Sequence, residues 1–285
     1  MNQGQPAKGI LLMVGSCIAF CVMSALISYA SFIDSYKTAL FRFIIGLSLL
    51  GTAALFGKIK LSFEHGPFLF LRGLTGGASV LFFYLAIAKL GIGKATVIIY
   101  SYPIFASIFG AIFLREKIGG LKLGAIITAC VGIYLLTQNE NTGFSFLTTM
   151  GRYELIAILG AILSGIAVVL VKQLHETDST YAIYFSQCVI GFWIVIIPAN
   201  LVPISIGYLG GMLLLCIGTV ATIGQLLMTE GYRHVSVTTG SLLGMLVPVL
   251  NFCVGATIFH EPISSYAVVG SIIVLTSCIA ILVAK

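Results

Sequence analysis

Pro103 and Glu116 stand 13 residues apart in an apolar stretch, and the same pair returns 145 residues later as Pro248 and Glu261. A proline inside a helix removes a backbone donor and bends the chain. In lipid, the carbonyl it frees must be met by a neighbouring helix or by a wet cavity. The chemistry this predicts is noncovalent capture of a polar ligand. Two such breaks at matching places in two halves point to a transporter's binding site. Each carboxylate closes its helix, Glu116 beside Arg115 and Glu261 beside His260. There it accepts bonds from the N-terminus of the helix that follows, near Ile118 and Ile263. A gate ion pair that alternates with the transport state is the other reading of the same residues.

The face opened by Pro103, taken at i−4, i−3 and i+4, presents Ile99, Tyr100 and Ser107. The face around Pro248 presents Gly244, Met245 and Phe252, with Ser241 a turn farther out. Arg42 lies about two turns into an apolar run. It snorkels to the interface, faces a partner such as Tyr36, or meets an anionic substrate. Arg72, one turn into the next run, reads as an interface anchor. Glu230 and Arg233, three residues apart, form a helical pair.

Bond-making chemistry finds no machinery. No GxSxG occurs, and Gly91-Ile-Gly93-Lys94 lacks the upstream glycine of a phosphate loop. His65, His175, His234 and His260 are scattered without metal spacing. The seven cysteines, with no CxxC among them, all fall inside apolar runs as small packing residues. We therefore expect no enzyme and no cofactor. None of the nine acidic residues lies at mid-span, where ion-coupled carriers bury an ionisable group. Facilitated diffusion or exchange is expected, with proton-coupled export, or a non-transporting membrane subunit or sensor, as the alternatives.

The elements that position these residues are membrane helices. The 285 residues are 59% hydrophobic and only 8% charged, against about 25% charged in a soluble domain. The net charge of +6 is spread singly at the ends of apolar runs, so nucleic acid is not a partner. Spans of about 20 apolar residues fall near 10–30, 36–56, 67–88, 92–114, 118–137, 153–173, 180–199, 205–229, 236–259 and 263–284. The first is too long for a signal-peptide core and reads as an uncleaved span. The polar connection Gln138–Arg152 divides the chain into repeats at 1–140 and 150–285. The 145-residue shift also lays Gly15 on Gly160, Gly46 on Gly191, Gly73 on Gly218 and Gly110-Ala111 on Gly255-Ala256. Five spans per repeat is odd, so the second copy enters the bilayer from the opposite side. With the N-terminus cytoplasmic, nine lysines and arginines lie inside and four outside. Both termini are expected in the cytoplasm.

The motifs SYPIFASIFGAIFLREKI and LVPVLNFCVGATIFHEPI, set in a five-plus-five repeat, resemble the drug/metabolite transporter superfamily, and within it the ten-helix EamA-type branch. The resemblance covers essentially the whole chain. It implies an all-α integral membrane protein, ten transmembrane helices in two inverted five-helix repeats, in the bacterial cell membrane as a monomer or homodimer. It implies alternating access for a small metabolite. Similar proteins carry amino acids, nucleosides, vitamins or S-adenosylmethionine, and span 3, LRGLTGGASVLFFYLAIAKL, is similar to carriers of larger, nucleoside-like solutes. Its implied cavity is lined by spans 1, 3, 4, 6, 8 and 9, whose mid-depth residues here are Ser24, Ser79, Phe83, Tyr84, Ser164, Thr222 and Gln225. Gln225 offers donors and acceptors to a ligand, or a bond to another helix. The expected solute is neutral or zwitterionic. Two departures stand out. Glu116 is followed by Gly124 after eight residues but Glu261 by Gly270 after nine, which predicts a register offset in the fifth span. The embedded glutamate that smaller multidrug relatives carry in span 1 is missing, so their proton exchange does not carry over.

Overall fold

The computed structural model describes residues 6–90, 92–117, 119–136, 151–201, 206–260 and 263–283. Their regular elements are helices: α1 (Pro6–Tyr29), α2 (Ser35–Leu55), α3 (Gly66–Leu90), α4 (Ile92–Ile99), α5 (Tyr102–Leu114), α6 (Gly120–Leu136), α7 (Arg152–Leu174), α8 (Thr180–Asn200), α9 (Tyr208–His234), α10 (Val237–Gly244), α11 (Leu246–Ile258) and α12 (Ser265–Val283). The pairs α4–α5 and α10–α11 each make one span broken at its middle. Eight helices are long and apolar enough to cross a bilayer, and the shorter apolar helices α6 and α12 bring the crossings to ten. The protein is thus all-α and membrane-embedded. Its outer surface agrees: Trp193 and Ile197 are 67% and 70% exposed, which suits lipid rather than water.

Helix starts follow capping chemistry. Asp34 accepts from the N–H groups of Tyr36 (2.9 Å) and Lys37 (3.3 Å) to start α2. Its counterpart 145 residues on, Ser179, accepts from Ala182 N–H (3.2 Å) to start α8. α6 and α12 also begin 145 residues apart, at Gly120 and Ser265. The offset glycines therefore do not shift the fifth span, because a helix start is set by its own first turn. α9 runs five residues beyond its expected end at 229, to His234.

The two halves pack as inverted copies. At one end of the bundle, here the proximal end, Gly9 of α1 meets His234 and Val235. There Ser179 Oγ donates to the Lys60 carbonyl (3.0 Å), and Asp178 accepts from Glu64 N–H (2.9 Å). At the distal end Ile206 and Ile33 both flank Gly210, and the Tyr29 and Phe259 rings lie 5.2 Å apart. Lys60 and Ile206, near-equivalent in the repeat, thus sit at opposite ends. The pairing of α1 with α9 is matched by that of α7 with α3, and α2 with α9 by α8 with α3. A pseudo-two-fold axis runs between α2 and α8. There Gly46 meets Cys188 and Phe43 meets Gly191, one contact made twice. Close approach of this kind needs glycine. A second axial pair, α6 with α12, closes on Gly132 and Gly270, where a Cβ on either would strike the other's backbone carbonyl. The connection on which the division at 140 and 150 rests lies almost wholly outside the described residues.

Candidate functional site

The breaks come before the prolines, not at them. α4 ends at Ile99 and Pro103 sits in the first turn of α5; α10 ends at Gly244 and Pro248 sits in the first turn of α11. A proline has no N–H for the carbonyl four residues back and its ring crowds that carbonyl. It suits a helix start, where that donor is spare. The carbonyls four residues back belong to Ile99 and Gly244, which are themselves equivalent under the repeat. Ser101 Oγ takes up local bonding at the first break by donating to the Ile98 carbonyl (2.6 Å).

Both break residues line one cavity of about 200 Å³ at the centre of the bundle. Its walls come from both halves. α1 gives Met13, Ser16, Cys17 and Phe20, and α3 gives Arg72, Gly76, Ser79, Val80 and Phe83. The first break adds Ile99, Tyr100 and Tyr102, and the second adds Gly244 and Val247. Ser164, Ala167 and Val168 of α7, Gln187 of α8, and Gln225 and Met228 of α9 complete it. The lining is largely apolar with a few convergent polar groups, the usual make-up of a small-molecule site.

The packing around the cavity is lopsided. On the proximal side α5 lies against α10. Tyr102 Oη donates to the Ser241 carbonyl (3.2 Å), and a Cβ on Gly110 would be 3.4 Å from Val237 Cβ. Glu116 Oε1 accepts from Val237 N–H (2.9 Å), at the start of α10. Among the described residues, the equivalent distal pair, α4 and α11, shows no comparable packing. Among those residues, the cavity is thus capped by packed broken spans on the proximal side, with no matching cap on the distal side.

A family model described as the EamA-like transporter family matches residues 7–138 and again residues 151–283. The chain belongs to the EamA-like transporter family. Among its relatives, the pseudopaline exporter CntI of Pseudomonas aeruginosa is 27% identical over 279 residues, 96% of this chain and 95% of that one. Solute carrier family 35 member G1 of Mus musculus is 22% identical over 284 residues, 95% of this chain and 77% of that one. An uncharacterized transporter of Archaeoglobus fulgidus is 27% identical over 253 residues, 86% and 87% of the two chains. A solved crystal structure shares the fold at a TM-score of 0.83 and 14% identity, over 96% of each chain. Transport of a small molecule across a membrane is the activity common to the named relatives.

Of the residues expected at the site of this EamA-type chain, Ser79, Phe83, Tyr100, Ser164 and Gln225 meet at the cavity. The others do not line it. Tyr84 packs with Phe43 and Tyr184 on the α2–α8 side of α3. Thr222 turns the same way, donating to the Gly218 carbonyl (2.8 Å) near Tyr184 Oη. Ser24 lies a turn past Phe20, donating to the Phe20 carbonyl (2.9 Å) and accepting from Asn251 Nδ2 (3.3 Å). Ser241 donates back to the Val237 carbonyl (2.7 Å) and is fully buried. Met245 packs against α6 and α12. Pro103, Pro248 and Ser107 are buried in packing, and Phe252 is half-buried on α11. Ile99 and Gly244 at i−4 and Tyr100 at i−3 do reach the cavity, whereas Ser107 and Phe252 at i+4 do not, for a physical reason. The backbone is not helical through the breaks, so residues on either side no longer share a face.

Sequence reasoning missed Arg72, Gln187 and Tyr102. Arg72 is no interface anchor: it is 2% exposed and its Nη2 donates to Gln187 Oε1 (2.9 Å). The absent side chain of Gly76, one turn on, leaves room for its guanidinium. Arg42 neither snorkels nor pairs with Tyr36. It is 8% exposed, its Nη2 donates to Gln225 Oε1 (3.2 Å), and it lies over the Phe20 ring at 5.9 Å. The repeat held a clue, since Gln187 is the 145-residue counterpart of Arg42. Glu116 caps α10 of the other half rather than α6, because the left-handed turn at Arg115 (φ 53°) carries it across. Its counterpart Glu261 lies outside the described residues, although His260 repeats that turn (φ 52°). Glu230 and Arg233 pair at 3.7 Å as expected.

His175, just beyond α7 at the proximal end, bonds the Thr229 carbonyl through Nε2 (2.8 Å). Burial holds its pKa below the ordinary imidazole value, against the raising pulls of the Thr229 carbonyl and Glu230. Arg233 and Lys172 face it as well, and lower it further. The unfolded chain therefore binds a proton more readily than the folded one, so stability falls with pH below about 6.5. The melting temperature in detergent should drop between pH 7.5 and 5.5, and His175→Gln should flatten that drop. A variant with the wild-type slope would assign the acid sensitivity elsewhere.

Proposed function

We propose that this protein moves a small organic metabolite across the cell membrane by alternating access, as facilitated diffusion or exchange. The observation that carries the reading is the lopsided sealing of a central cavity by two equivalent broken spans. Exchanging the conformations of the two halves would seal α4 against α11 and part α5 from α10, moving the opening to the other side. Inverted repeats make the two states near-equal in energy, so the exchange is readily reversible. The lysine and arginine bias favours both termini in the cytoplasm. In that orientation the cavity described here opens outward.

Exchange without proton coupling is favoured because the cavity lining among the described residues holds no carboxylate. A non-transporting subunit built on this fold would have no use for a central cavity into which polar groups converge. The test is counterflow in proteoliposomes preloaded with an unlabelled metabolite extract and given a trace of isotope-labelled extract outside. Protein-dependent accumulation of a labelled solute without any ion gradient is expected. Accumulation only under an imposed pH step would establish proton coupling instead, and none under either condition would reject transport.

A further inference from the structure

We propose that the solute is an organic anion whose carboxylate is bound by Arg72, with Arg42 acting as a positioning residue through Gln225. The inference rests on the transport reading and names the solute's chemistry, in place of the neutral or zwitterionic one expected from sequence.

Two guanidiniums are buried at the heart of the bundle, and neither has a carboxylate partner among the described residues. Each gives a bond to a glutamine oxygen, Arg72 to Gln187 and Arg42 to Gln225, and Arg42 also meets the Tyr84 hydroxyl. The two pairs join α3 to α8 and α2 to α9, helix pairings that the pseudo-two-fold axis interchanges. What is left over is all of one kind. Arg72 Nε, Arg72 Nη1, Arg42 Nε and Gln225 Nε2 are buried nitrogens that carry donors and have no acceptor. Arg72 and Gln225 both line the cavity.

A buried charge without a partner is strongly unfavourable, and so is a buried donor without an acceptor. A set of donors alone calls for a ligand rich in acceptors and negative in charge. Arginine suits a carboxylate, with charge-assisted bonds stronger than neutral ones. Because Arg42 holds the oxygen of Gln225, the amide's NH₂ is the end left for the ligand. Val80, Phe83, Ile99 and Val247 then face the apolar body of the solute, which argues against a bare inorganic ion.

The test uses the full-length protein in detergent and a deproteinised bacterial metabolite extract, split on anion-exchange resin into retained and unretained fractions. The retained fraction should raise the melting temperature of the wild type, and amidation of its carboxylates with methylamine and a carbodiimide should remove the effect. Arg72→Gln should weaken the response about 10- to 100-fold, as expected for losing a bond to a charged group. Arg72→Met should melt higher than wild type without extract, since it removes an unpaired buried charge. Arg42→Lys should keep more of the response than Arg42→Met. Stabilisation by the unretained fraction alone, equal in Arg72→Gln, would overturn the anion and leave transport standing. The same shift from inorganic phosphate alone, or persistence after amidation, would overturn the organic carboxylate. No shift from either fraction would overturn both this proposal and the transport site on which it rests.

Discussion

A disulfide between Gly110→Cys and Val237→Cys should stop transport completely, and dithiothreitol should restore it. The Cβ positions lie 3.4 Å apart across the α5–α10 seal, close to the separation of about 3.5–4.5 Å that a disulfide spans. Cysteine at 237 also removes the branched methyl that a new Cβ at 110 would press. The bond would tie the proximal seal shut, so the cavity could not open on that side. The exposed Cys216 and Cys253 should first be made alanine, to keep oxidation specific. The swapped pair, Ile92→Cys with Gly255→Cys, should cross-link only as the protein visits the opposite state, and should also stop flux. Counterflow at the wild-type rate in a fully oxidised Gly110→Cys/Val237→Cys protein would refute alternating access through this seal.

Gly244→Leu should reduce flux to that of empty liposomes while the protein still folds. Gly244 ends α10 on the cavity wall, where even a Cβ would strike Tyr102 Oη. The tyrosine can rotate only by giving up its bond to the Ser241 carbonyl. The rest of the leucine side chain would then occupy much of a cavity of about 200 Å³. An unshifted melting temperature would separate blockage from unfolding. Transport that persists in such a protein would mean the solute takes another path.

Much of this architecture could be read from the sequence, because lipid permits few alternatives. Ten apolar runs became ten crossings, since in a bilayer each run of that length closes its backbone bonds within itself. Pro103 and Pro248 marked the breaks because a missing N–H acts locally wherever it sits. The cavity wall was less legible. Which face of α3 turns inward depends on Gly73 and Gly77 settling against Ile190 and Gly191 of α8, a contact between the two halves. That phase carries Arg72 inside, whereas its nearness to the start of a span suggests the interface. The role of Glu116 was hidden for a similar reason: its partner, Val237, lies 121 residues away in the other repeat.

The doubled contact of Gly46 with Cys188 and Phe43 with Gly191 has a mechanical meaning. Any rearrangement that merely trades the roles of the two halves maps this contact onto itself, so nothing here has to break. In the proposed exchange of conformations, the residues at that crossing would serve as a fulcrum and the broken helices as the levers about it. Bulk added at the fulcrum would burden both conformations alike, slowing the cycle without biasing its direction.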